Sequence, residues 1–313
     1  MASKLLREVA GDFDRVIWRS LDCTPPLIDI LSQLIAFLSA DGTTSSNFHQ
    51  SCESVKAAIA LRVRSLPHTV PENSPPDGNP DCLNEGLREL IDCLQRQRCL
   101  LIFDRWASLF AECAFAGTYR SECRGYSELL HQVATLPHQS CIVLTSAVVP
   151  KAIATLSGSQ RPVRAFKLSG LHEDAKYLLQ DKGLWETERY SDLIAAYGGN
   201  PLALQIVSTT IWEMFGGQIS EFLKYDWFVG DYDDRIARHF RQLTDSEWAI
   251  LNYLKKKPQP VTLIEIASTC ETDQELQALE SLQRRSLVKQ IRQNNQVKYT
   301  VPNLVRHCAI AQD

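Results

Sequence analysis

Cys99–Phe103, CLLIF, is apolar without a break, and an acid, Asp104, follows at once. The run is too short for a helix and does not alternate. It predicts a strand buried on both faces, the kind that sits inside a parallel α/β sheet. In such sheets ligands bind beyond the carboxyl ends of the strands. Asp104 stands at such an end, where it serves either as a functional acid or as a cap for the segment that follows.

The flanking sequence fits that frame. Ser3–Ala10 reads as the last turns of a short helix, and Phe13–Leu21 as a strand around Val16, Ile17 and Trp18. Trp18 is read as a core aromatic rather than a ligand contact. Pro25 and Pro26 stand just inside a helix start. Leu27, Ile30, Leu31, Leu34, Ile35 and Leu38 then recur at helical spacing. Ala40–Asp81 is rich in breakers and reads as a surface excursion, with a short helix near Ser54–Leu66. Helices around Leu83–Leu94 and Tyr126–Leu136 bracket the central strand, Cys141–Thr145 is a second apolar strand, and Val163–Leu168 a third candidate. Helix and strand therefore alternate to about residue 168, the signature of a parallel sheet with crossover helices.

Beyond Gly170 the pattern changes to short helices: His172–Gln180, Tyr190–Ala196, Pro201–Phe215 and Ile219–Leu223. Asp226–Asp234 reads as a boundary. Two capping boxes follow, Thr244 with Glu247 and Thr262 with Glu265. A third helix spans Gln274–Arg284 with Leu276, Leu279 and Leu282 inward. A hairpin then turns at Asn294-Asn295. Three helices and a hairpin predict a winged-helix arrangement.

Composition excludes several function classes. The chain of 313 residues is 44% hydrophobic and 22% charged, an ordinary globular balance. A formal net charge of −4 argues against a dedicated nucleic-acid binder. Arg284, Arg285, Lys289, Arg292 and Lys298 are accordingly read as a solvated face in preference to a DNA-facing stripe. The ten cysteines include no C-x-x-C pair, so neither a zinc knuckle nor a thioredoxin-type motif is supported. His131 and His138 have no partner spacing for a metal or a triad. No signal-peptide core and no apolar stretch of about 20 residues is present. The expectation is a reduced, cytoplasmic protein with no membrane association.

The landmarks FDRVIWRSL, CLLIFD, CIVLTS, GNPLAL and a winged helix occur in one order. That order resembles the NB-ARC class of STAND P-loop NTPases, and within it the bacterial subfamily that often carries WD40 repeats. Ile17–Leu21, Pro25-Pro26 and Gly199–Leu204 carry the likeness, which spans roughly Phe13 to Ala309. It implies a P-loop NTPase-like α/β domain over 1–168, a small helical (ARC1-like) domain over 169–230 and a winged-helix domain over 231–313. It also implies a signal-transduction switch that binds ADP or ATP with Mg²⁺. Asp104 would be the Walker B-like acid and metal position, Thr145 and Ser146 the sensor region, and Gly199, Asn200 and Pro201 the base-side contact.

The departures are equally specific. No G-x-x-x-x-G-K-[ST] occurs in the chain. By the family's order that loop belongs just before Ser3–Ala10, so the chain is expected to be cut before or at it. Arg105 stands where many relatives carry a second acid, and Ala147 where an Arg senses the γ-phosphate. Pro302-Asn303-Leu304 replaces a His-Asp pair. Hydrolysis is expected to be lost or very weak. Protein partners or self-association are expected, and nucleic acid is not. The alternatives are a ligand-free interaction remnant and a winged-helix DNA-binding regulator.

Overall fold

The computed structural model describes residues 2–39, 80–225, 239–270 and 274–308. The expected helix near Ser54–Leu66 and the boundary at Asp226–Asp234 lie outside these residues. The chain divides into two compact units: residues 1–111 with 116–165, and residues 112–115 with 166–313.

The first unit is built on a parallel sheet of three strands: β1 (Arg15–Ser20), β2 (Cys99–Asp104) and β3 (Cys141–Leu144), with β2 in the middle. The register runs from Arg15 opposite Cys99 to Ser20 opposite Asp104, and from Leu100 opposite Cys141 to Phe103 opposite Leu144. All five apolar residues of β2 are buried, Cys99, Leu101 and Phe103 into the main core and Leu100 and Ile102 on the opposite face. A strand with a neighbour on each side and cover on both faces has no position for a polar residue until it ends.

Around the sheet lie α1 (Ala2–Val9), α2 (Leu27–Leu38), α3 (Pro80–Arg96), α4 (Gly125–Thr135) and α5 (Lys151–Leu156). α3 packs against both α2 and α4. Pro26 sits at the cap of α2, which begins at Leu27, so the prolines precede the helix rather than open it. Trp18 is only partly buried. The core tryptophan of this unit is Trp106, with edge-on contacts to Phe103 and Tyr126, and its Nε1–H donates to Tyr119 Oη at 3.1 Å. Burial pushes the Tyr119 phenol up to about 12.

Val163–Leu168 is not a strand. Val163 forms one isolated parallel bridge with Ser157, while Phe166 and Leu168 are 84% and 65% exposed. The apolar run of β2 is unbroken, but VRAFKL is interrupted by Arg164 and Lys167 and gains no neighbouring strand.

The second unit holds α6 (Ala175–Asp181), α7 (Tyr190–Ala196), α8 (Pro201–Phe215) and α9 (Ile219–Phe222). Three further helices follow, α10 (Asp245–Lys256), α11 (Leu263–Cys270) and α12 (Glu275–Arg284), and α13 (Asn303–Cys308) comes last. An antiparallel sheet accompanies them: β4 (Val261–Thr262), β5 (Lys289–Gln293) and β6 (Gln296–Thr300), with β6 in the middle. Asn294 and Asn295 take φ of 51° and 61°, as a two-residue hairpin turn requires.

Both capping boxes form. Glu247 Oε2 accepts from Thr244 N at 2.9 Å, and Glu265 Oε2 from Thr262 N at 2.7 Å. Leu279 and Leu282 are buried, but Leu276 is 67% exposed. At 100° per residue, the buried face set by Ala278, Ser281 and Leu282 leaves Leu276 on the far side of α12. No helix among the described residues is long and apolar enough to cross a membrane.

Candidate functional site

The carboxyl end of the parallel sheet gathers a group of polar side chains. Ser20 ends β1 directly across from Asp104, which ends β2, and Thr145 follows the last residue of β3. The Thr145 hydroxyl donates to Asp104 Oδ1 and accepts from Arg105 N at 3.0 Å. The Thr145 backbone binds both sides of the same junction: its N–H donates to Phe103 O at 3.0 Å, and its carbonyl accepts from Trp106 N at 2.9 Å. Leu21 N donates to Asp104 O at 3.0 Å, which fixes the end of β1 against the acid.

Arg105 adopts a left-handed conformation, φ 61° and ψ 44°, an uncommon state for a residue with a Cβ. Its side chain folds back to Asp22, Nη1 to Oδ1 at 2.7 Å, where Ser20 Oγ also donates to Oδ2 at 3.1 Å. The two ionic side chains are 68% and 46% exposed, so the pair contributes at most about 1 kcal/mol. Ser108 Oγ lies within reach of Leu21 O at 2.5 Å and Arg105 O at 2.9 Å and ties the turn together. Ser146 is turned into its own loop, donating to Val148 O at 2.6 Å.

Chemically the arrangement offers one carboxylate held by a hydroxyl, with a cation one residue away that is neutralised by a second carboxylate. No group of three or more His, Cys, Asp or Glu placed to hold a metal occurs among the described residues. A Mg²⁺ ion is commonly held by one or two carboxylates with phosphate and water completing the shell, and among the described residues Asp104 has no acidic cluster beside it that would complete such a shell.

Gly199, Asn200 and Pro201 lie in the second unit. Gly198 and Gly199 have φ of 59° and 65°. A Cβ on Gly199 would fall 2.0 Å from Leu171 O, and one on Gly170 would fall 2.0 Å from Gly198 O. The two segments touch backbone to backbone, with Leu171 N donating to Gly199 O at 2.7 Å. Asn200 Oδ1 accepts from Leu202 N and Ala203 N, each at 3.1 Å, and so caps α8, while Pro201 is exposed at its first position.

The basic residues of the last segment do not form one surface. Arg285 is 7% exposed, and its Nε donates to the fully buried Glu247 Oε1 at 3.0 Å. Its Nη2 donates to Ala114 O at 2.7 Å. Arg284 is largely buried and paired with Glu280 at 2.6 Å. Both therefore leave the solvated face that the sequence suggested. His138 is a satisfied histidine: Nδ1 accepts from Ser140 N at 3.2 Å, which leaves Nε2 to donate to Val133 O at 2.9 Å.

The sequence singles out Asp104, Thr145 and the Gly-Asn-Pro turn, and the structure places Thr145 against Asp104 and the turn in the other unit. It gives no sign of the contacts made by Ser20, Asp22 and Gly170. Asp22 lies 83 residues from the arginine it pairs with, and no local pattern carries such a pairing. The one signal for Gly170 was a glycine after an apolar run.

No family model matches the chain. Over 285 residues, 88% of this chain, it is 33% identical to an uncharacterized WD repeat-containing protein of Nostoc sp. (strain PCC 7120). The chain spans 20% of that relative's length. Among solved structures it is similar to a Walker-type ATPase of Pyrococcus abyssi at TM-score 0.49 and 16% identity, covering 98% of this chain and 87% of the other. It is also similar to a Signal Transduction ATPase with Numerous Domains (STAND) from Pyrococcus horikoshii, which has a tetratricopeptide repeat sensor. There the TM-score is 0.40 at 16% identity, covering 96% of this chain and 37% of that one. At these scores neither structure carries an assignment for this chain.

Proposed function

We propose that the chain is the core of an NB-ARC-like STAND regulatory switch that binds ADP or ATP and hydrolyses it very weakly or not at all. One observation carries this reading. An acid stands at the carboxyl end of the middle strand of a parallel sheet and is held there by the hydroxyl that follows the adjacent strand. Asp104 is the group that would take the Mg²⁺ of a bound nucleotide, and Thr145 the group that would fix its carboxylate. Ser146 completes the sensor region. Gly199, Asn200 and Pro201 would form the base-side contact, with the ring of Pro201 available for it.

In this reading the chain has three parts, an α/β domain over 1–168, a small helical domain over 169–230 and a winged helix over 231–313. The order α10, β4, α11, α12, β5, β6 supports the last, because three helices and an antiparallel wing make that arrangement. Bound nucleotide would bias the position of the winged helix, and that position would control access of protein partners or self-association. The likeness to a segment of a WD repeat-containing protein supports a setting in which the switch governs protein contacts. A cytoplasmic location without membrane or nucleic-acid contact belongs to the same reading.

No hydrolytic step is assigned. The chain has no G-x-x-x-x-G-K-[ST], so the backbone N–H cradle and the lysine that hold phosphates are missing from its 313 residues. Arg105, bound to Asp22, occupies the place where an acid would position water. A ligand-free interaction module is the second reading, and the missing loop motif is the observation that favours it.

Denaturing purified protein and analysing the released small molecules separates the two. ADP or ATP released in near-stoichiometric amount supports the switch. Protein free of nucleotide that also shows no ADP-induced rise in melting temperature overturns nucleotide binding by this chain. Phosphate release from Mg-ATP is expected to be no faster than for Asp104→Asn.

A further inference from the structure

We propose that Arg105 is a phosphate-binding group held in reserve by Asp22, and that its guanidinium turns from Asp22 to the phosphate of a bound nucleoside diphosphate. This rests on the nucleotide reading of the Asp104 end of the sheet. It adds a recognition residue and a residue that sets how tightly the phosphate is held.

The backbone of Arg105 is pinned at both ends. Its N–H donates to Thr145 Oγ1 at 3.0 Å, and its carbonyl accepts from Ser108 N at 3.0 Å and Ser108 Oγ at 2.9 Å. The next residue, Trp106, donates its N–H to Thr145 O at 2.9 Å and buries its indole in the core. These bonds keep Arg105 in the left-handed region at φ 61°, a conformation unfavourable for a residue with a Cβ. Such positions persist where the surrounding structure over-determines them, and they gather at ligand sites.

The side chain is the opposite case. It is exposed, and among the described residues it bonds to Asp22 alone, Nη1 to Oδ1 at 2.7 Å. Asp22 is itself exposed, and its other oxygen accepts from Ser20 Oγ at 3.1 Å. An exposed carboxylate–guanidinium pair gives up little when water or another anion replaces one partner. If Arg105 leaves, Asp22 keeps Ser20 and gains water. A fixed backbone carrying a lightly held cation is what an exchange of partners requires.

Charge sets the direction of that exchange. Asp104, Asp22 and Arg105 together are two carboxylates against one guanidinium, so a diphosphate brought to this end of the sheet meets net negative charge. Turning Arg105 onto phosphate oxygens moves the cation to an anion of higher charge that accepts two parallel N–H bonds. Arg105 directly follows Asp104, so the cation stands next to the acid assigned to the metal of the same ligand.

Isothermal titration of Mg-ADP into the full chain, Asp22→Asn, Arg105→Gln and the double variant tests this. Both side chains are exposed, so far-UV circular dichroism is expected to be unchanged in all four proteins. Removing the competitor in Asp22→Asn is expected to tighten binding by about two- to fivefold, the range an exposed pair supports. Arg105→Gln is expected to weaken it by about tenfold. The double variant should bind as Arg105→Gln does, because Asp22 acts through Arg105.

Unchanged affinity in either single variant, with Mg-ADP bound by the unmodified chain, would overturn this inference and leave the nucleotide reading standing. So would an equal tightening by Asp22→Asn with and without Arg105, since that is the loss of one negative charge near the ligand and no exchange of partners. Absence of Mg-ADP binding in all four proteins would overturn the nucleotide reading and this inference with it.

Discussion

At the scale of single residues, two polar junctions stand out, one at the candidate site and one in the core of the second unit. Thr145 serves Asp104 and the Arg105 N–H with one hydroxyl. Thr145→Val keeps the shape and removes both bonds, and about 1–3 kcal/mol of stability is expected to be lost in urea denaturation. Glu247 is the stronger case. It accepts from Thr244 N, Ser281 Oγ and Arg285 Nε, so a fully buried charge has its lone pairs engaged. Glu247→Ala leaves Arg285 buried without its counter-charge and is expected to cost about 3–5 kcal/mol, read from the same urea transitions.

Glu186 gives a pH signature. Hydrogen bonds from Ser220 Oγ and Ser220 N, each 2.6 Å, hold its carboxyl below the ordinary 4.5. A depressed carboxyl stabilises the fold fully above its unfolded value, and that contribution disappears as pH falls through the lower folded value. Glu186→Gln is therefore expected to flatten the acid limb of stability below about pH 4.5, with no steepening above it.

At the scale of elements, the glycine turn before α8 separates two physical demands. Gly198 needs only its positive φ, since a Cβ there would meet nothing within 4 Å. Gly199 needs the same φ and also the missing Cβ, which would strike Leu171 O. Gly198→Ala is expected to cost about 1 kcal/mol and Gly199→Ala clearly more, an order that thermal melts of the two variants would check.

The elements also show where sequence was legible. β2 was readable because burial on both faces leaves an unbroken apolar run. α8 was readable from Asn200 and Pro201, and the hairpin from Asn294-Asn295, because each of those residues acts within its own few neighbours. Val163–Leu168 misled because apolar content does not create a pairing partner. Leu276 misled because an i, i+3, i+6 series drifts around a helix. The Asp22–Arg105 and Glu247–Arg285 pairs were not readable at all. They join residues 83 and 38 positions apart, and only the folded chain sets them side by side.

At the scale of the whole molecule, two units of different construction lie in one chain, a parallel α/β sheet and a helical unit with a small antiparallel sheet. Asp104 belongs to the first unit and Pro201 to the second. A nucleotide that binds only the folded chain adds RT ln(1 + [L]/Kd) to its stability, about 2.7 kcal/mol at a hundred times Kd. For a chain of this size that is a rise of at least about 2 °C in Tm. The decisive measurement is the Tm of the unmodified chain and of Asp104→Ala, each with and without saturating Mg-ADP. A rise of a few degrees is expected for the unmodified chain, falling by more than half in Asp104→Ala. An unchanged Tm for the unmodified chain, or an equal rise in both proteins, would contradict it.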